Sequence, residues 1–138
     1  MRVQGLSGHS VLFAVSLVAV LLLASASARA DEDIAKELNT AATHAGLAAA
    51  GKDMKAVQMH LRHAVNCLVG PNGTGFDSGE ANPCKDQGNG AIPDIKDAVK
   101  RASLQEALIK ANAGLTETDM AAAQQAATAA QDLIKKAM

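Results

Sequence analysis

Aromatic side chains are almost absent. The 138 residues hold two Phe and no Trp or Tyr. One of the two, Phe13, lies in a segment expected to be removed, which leaves Phe76 as the single aromatic. Modules that grip single-stranded nucleic acid stack bases on Phe, Tyr or Trp, and this composition excludes them. It also argues against a ligand pocket walled by aromatics. Strands favour aromatic and β-branched residues, and their scarcity speaks against a β-sandwich or barrel. Positive charge is not in excess: 13 Lys and Arg stand against 14 Asp and Glu. No basic patch is available for nucleic acid or anionic lipid. Catalytic signatures are missing as well. There is no H-E-x-x-H, no C-x-x-C, and no Ser–His–Asp or paired-carboxylate arrangement. The chain reads as non-enzymatic.

What is present begins with an export signal. Arg2 marks a short basic start, an apolar run covers Val11 to Ala24, and Ala28-Arg29-Ala30 closes a small-residue stretch. That is the pattern of a signal peptide over residues 1–30, with cleavage before Asp31. The rival is a retained membrane anchor, but a span needs about 20 apolar residues and this run is about 14. Cleavage would leave a single domain over 31–138, with a formal charge of −3 once Arg2 and Arg29 are gone. Nothing in that remainder could span a membrane. The expected location is the periplasm or the exterior.

Two cysteines remain, Cys67 and Cys84. An even count in an exported chain predicts that they pair; the alternative is a free thiolate ligand or nucleophile.

Hydrophobic periodicity predicts an all-α fold. A first helix is expected from Asp33 to Ala50, with Ile34, Leu38, Ala41, Ala45 and Ala48 on one face. A second starts at Asp53 as N-cap and stops at Gly70-Pro71. Residues 70–93 hold six glycines and all three prolines and read as a long irregular loop. A third helix is expected from near Asp94 to about Ala113, carrying Ile95, Val99, Ala102 and Leu108 on its face, with Gly114 ending it. The fourth covers about Glu117 to Ala137, with Thr116 and Asp119 as a variant capping box. The pieces A-G-L and D-M-x-A-x-Q occur at Ala45 and Asp53, and again at Ala113 and Asp119, which suggests two related hairpins. The expected architecture is an antiparallel four-helix bundle of two αα-hairpins, with a disulfide-tethered Gly-rich loop.

The chemistry-bearing residues gather on the first hairpin. At about 100° per residue, His60 edges the apolar stripe of the second helix, while Met59, His63 and Cys67 share another face. His44 lies at the stripe edge of the first helix, and positions 44 and 60 are mirrored about residue 52. Antiparallel packing puts them level. Two imidazoles at i, i+3 with a third from a neighbouring helix can hold one ion, and imidazole suits Zn, Cu and Ni. The candidate ligands are His44, His60 and His63, with Met59 auxiliary; a thioether from Met59 or Met54 would bias the site toward Cu(I). The competing reading is structural, with the histidines bonding the nearby loop and the helices serving as an interaction module.

Other motifs carry less. Gly70-Pro71-Asn72-Gly73-Thr74-Gly75 lacks the ending of a phosphate loop. Asn72-Gly73-Thr74 is a glycosylation sequon, meaningful only in a eukaryotic host. Asp77, Glu80 and Asp86 lack EF-hand spacing and read as solvated loop acids. The run from His60 to Pro71, followed by Asn82-Pro83-Cys84 and Gly88-Asn89-Gly90-Ala91, resembles a signature of small exported bacterial proteins. The alanine-rich hairpins with histidines loosely resemble periplasmic metal-binding bundles. Those likenesses imply a periplasmic setting, the Cys67–Cys84 pairing and metal as a partner class.

Overall fold

The computed structural model describes residues 33–138, so the expected signal segment, 1–30, lies outside the described residues. Those residues form helices and irregular connections, without strands. The helices are α1 (33–49), α2 (Met54–Val69), α3 (Ala91–Asp94), α4 (Ala98–Thr116) and α5 (Met120–Lys136).

Aspartate starts three of them. The free N–H groups of a first helical turn need acceptors. Asp53 Oδ1 accepts from Ala56 N at 2.8 Å, Asp119 Oδ1 from Ala122 N at 2.8 Å, and Asp97 Oδ1 from Val99 N and Lys100 N at 2.8 and 2.9 Å. The two backbone bonds hold the Asp97 carboxyl below its ordinary range, the one from Lys100 contributing most.

Three sequence expectations change here. The third long helix starts after Asp97, not near Asp94. The Asp94 carboxylate is already engaged, accepting from Asn89 N at 2.7 Å, and Ile95 is extended. A separate turn of helix, α3, precedes the break. Second, the buried face of α4 is Leu104, Ala107, Ala111 and Gly114, whereas Val99 and Ile109 are 77% and 65% exposed. Of the expected stripe, Ile95 is buried and Leu108 packs against the core, while Val99 and Ala102 are exposed, because apolar residues are spread around the circumference of α4. Gly114 sits inside the helix and does not end it. A Cβ there would come within 2.8 Å of Leu61 Cδ1 and 3.2 Å of Ala126 Cβ, so its missing side chain makes room for α2 and α5. Third, the Thr116 hydroxyl donates to Ala113 O and belongs to the last turn of α4; Asp119 caps α5 alone.

Packing relies on small residues. Ala41, Ala45 and Ala48 of α1, Ala64 of α2, Ala107 and Ala111 of α4, and Ala123, Ala127 and Ala130 of α5 are all fully buried. Leu61, Leu68, Leu104 and Ile134 supply the bulk. α4 and α5 pack along their length in opposite directions: Lys100 Nζ and Ser103 Oγ, near the start of α4, donate to Met138 O and Leu133 O. Gln131 Nε2 of α5 donates to Ala42 O of α1, and Gln124 Nε2 donates to Gly51 O in the α1–α2 turn. Those two bonds tie α5 to the first hairpin.

The long connection is irregular over 70–90 yet firmly seated. Cys67 and Cys84 form a disulfide. Asn66, fully buried, donates to Asp77 O and Ala81 O and accepts from Asp77 N. Phe76 packs against the core. The loop closes where Gly70 (φ +70°) meets Gly90 (φ +116°). A Cβ on Gly90 would lie 2.6 Å from Gly70 N, and both dihedrals fall in the region that glycine alone enters freely. On the α1 side, Thr40 donates to Gln87 Oε1 at 2.9 Å and Gly90 N donates to Glu37 Oε1 at 2.8 Å.

Glu37 carries no distinguishing signal in the sequence. It is fully buried, and its Oε2 has no hydrogen-bond partner. Burial pushes its carboxyl up to about 7; the Gly90 bond opposes this, while Asp94 and Asp33 add to it. The fold therefore favours the protonated form.

Two outcomes are expected. Replacing both cysteines by serine lowers unfolding free energy by about 3 kcal/mol, read by urea denaturation. The Glu37 contribution is whole below its unfolded pKa of 4.5 and is lost as pH rises through about 7. Denaturation between pH 4.5 and 8 should thus show a decline on the order of 1–3 kcal/mol from this group, which Glu37→Gln abolishes.

Candidate metal centre

The three histidines that the sequence singled out converge. His44 comes from α1, His60 and His63 from α2, and the tight turn at 50–53 brings the helices level. The His44 and His60 Nδ1 atoms are 3.2 Å apart. Ring centroids are separated by 5.4 Å (44–60), 5.0 Å (44–63) and 5.7 Å (60–63). One nitrogen from each ring can be chosen so that all lie within 4.8 Å of one another. Among the described residues this is the one cluster of three or more His, Cys, Asp or Glu with such spacing.

The geometry suits a small divalent ion. With Zn–N bonds of about 2.0–2.1 Å and tetrahedral angles, two ligand nitrogens lie about 3.3 Å apart. The 44–60 Nδ1 pair is already at about that separation, and one nitrogen from each of the three rings lies within 4.8 Å of the others. His63 is 9% exposed, and its Nδ1 is buried without a hydrogen-bond partner. A buried polar nitrogen left unpaired costs free energy, and an ion shared with the other two rings would satisfy it.

Electrostatics keep the cluster ready for a cation. Burial, then the neighbouring His63 and His60, pushes the His44 imidazole down to about 4. His60 is lowered for the same reasons, burial first and then His63. Neutral imidazole is the ligand form, so His44 is available well below neutral pH, and the lowering at His60 acts in the same direction.

Other expected residues fall into place around the triad. Met59 stands beside His60 on α2, half-buried, and the triad closes without it. Met54 packs against the core. Both cysteines are consumed by the disulfide, so neither offers a thiolate. A cavity of about 400 Å³ between α1, α4 and the last residues is lined by Ile34, Leu38, Ile95, Lys100 and Met138, away from the histidines.

Sequence reasoning missed two contributors. Asn66 stands in the His60–Pro71 run with no role assigned to it there, yet it anchors the loop. Asp77, Glu80 and Asp86 were read together as solvated acids. Asp77 and Glu80 instead face Arg62, at 3.6 and 3.8 Å, and the second Glu80 oxygen lies 3.7 Å from His63 Nε2. No spacing in the sequence could have placed Glu80 beside His63, because it lies in an irregular segment without a period.

No protein-family model, curated protein or solved structure matches this chain at a significant level. No helix among the described residues is long and apolar enough to cross a membrane.

The imidazoles can be titrated individually by NMR. In metal-free protein His44 should show a midpoint near 4, well below the ordinary 6.5. Protons held by the unfolded chain but not by folded His44 make stability rise with pH between those two values.

Proposed function

We propose that this protein is a non-enzymatic, exported helical protein that binds one transition-metal ion of the Cu, Zn or Ni class through His44, His60 and His63. The observation that carries the reading is the convergence of three imidazoles from two helices, with one buried nitrogen left unpaired. Three neutral nitrogens select borderline metals over Mg²⁺ and Ca²⁺, which prefer oxygen. Three protein ligands leave a fourth position for water, an anion or Met59; recruitment of the Met59 thioether would favour Cu(I).

The export reading rests on the pattern of residues 1–30, and a disulfide fits an oxidising compartment. We place the protein in the periplasm or outside the cell, with the small exported bacterial proteins whose signature the His60–Pro71 run resembles. The arrangement we favour for the four long helices is an antiparallel bundle of two hairpins. Its support is the turn joining α1 to α2 and the opposed run of α4 and α5.

Calorimetric titration of oxidised protein with Cu²⁺, Zn²⁺ and Ni²⁺ tests the site. Binding at one ion per chain, micromolar or tighter for at least one metal, is expected, with His60→Ala weakening it by about two orders of magnitude. Equal, millimolar-grade binding by both proteins would overturn the assignment.

A further inference from the structure

The Gly-rich loop lays one carboxylate against the triad. Glu80 is held there from three directions. Asn66 bonds the backbone on both sides of it, at Asp77 and Ala81. The disulfide fastens Cys84 to α2. Arg62 Nη1 lies 3.8 Å from Glu80 Oε1 and Arg62 Nε lies 3.6 Å from Asp77 Oδ2. With Oε1 turned to Arg62, Oε2 faces His63 Nε2 at 3.7 Å. The other nitrogen of that ring is the buried Nδ1 without a partner.

An imidazole that binds a metal through one nitrogen carries its proton on the other, and an acceptor there fixes the ring and raises its basicity. We infer that Glu80 is a positioning residue for the metal site: it accepts from His63 Nε2–H, and so holds the ring with the Nδ1 lone pair turned toward His44 and His60. The loop thereby serves the site without supplying a ligand. A contraction of less than about 1 Å converts the present separation into a hydrogen bond of ordinary length. This inference rests on the metal-binding reading above, but part of it can be tested without metal.

Two substitutions separate positioning from simple loop anchoring. Glu80→Ala removes both the acceptor for His63 and the ion pair with Arg62. Glu80→Gln removes the ion pair but keeps a carbonyl oxygen that can accept from His63. If Glu80 acts by positioning, Zn²⁺ affinity falls about 10–100-fold in the alanine variant, and the glutamine variant recovers most of the loss. If it acts only through Arg62, the two variants behave alike, and the inference is overturned.

NMR of the metal-free oxidised protein provides the second readout. A downfield His63 Nε2–H signal, protected from solvent exchange, is expected in the wild type and in Glu80→Gln and absent in Glu80→Ala. That pattern without any Zn²⁺ binding would keep the positioning role and refute the metal reading. An unchanged signal in all three proteins, with equal affinities, would refute the positioning role alone.

Discussion

Close approach of α1 and α2 is the constraint on which the rest depends. Ala41, Ala45 and Ala48 of α1 and Val57, Leu61 and Ala64 of α2 belong to one core cluster, and all six are fully buried. Larger residues at those alanine positions would push the backbones apart. Imidazole nitrogens 3.2 Å apart from opposite helices require short side chains beneath them. Each alanine buries little apolar area, so this spacing comes at the expense of core stability. The disulfide and the seated loop offset that thin core, and the same loop then covers α2 beside the histidines.

Two buried titratable groups pull stability in opposite directions with pH. Glu37 is favoured protonated, so its contribution weakens as pH rises toward about 7. His44 is favoured neutral, so its contribution strengthens as pH rises from about 4. Both lie on α1, and both owe their shift first to burial. Glu37 meets the far end of the loop at Gly90, while His44 meets α2. One helix therefore carries two titratable groups of opposite pH dependence, one against the loop and one against α2.

Much of the fold could be read from local signals. Asp53 and Gly70 bound α2 as expected, because a side-chain acceptor and a left-handed glycine act on their own helix ends. The histidine triad was legible for a similar reason: i, i+3 spacing and symmetry about a short turn depend only on helix geometry. Failures came where a choice was made elsewhere in the molecule. The start of α4 moved because Asn89 had claimed Asp94, and its buried stripe moved because α2 and α5 required the face that holds Gly114.

By itself, the sequence determined the helical class, the pairing of its two cysteines and the three imidazoles that meet. All of these follow from periodicity, parity and turn length. Tertiary structure alone decided the burial of Glu37, the anchoring work of Asn66 and the placement of Glu80 beside His63. The physical reason is that loop residues have no period. Their neighbours are set by where the chain is fastened, and that is settled only when the disulfide, the Asn66 bonds and the Gly70–Gly90 closure act together.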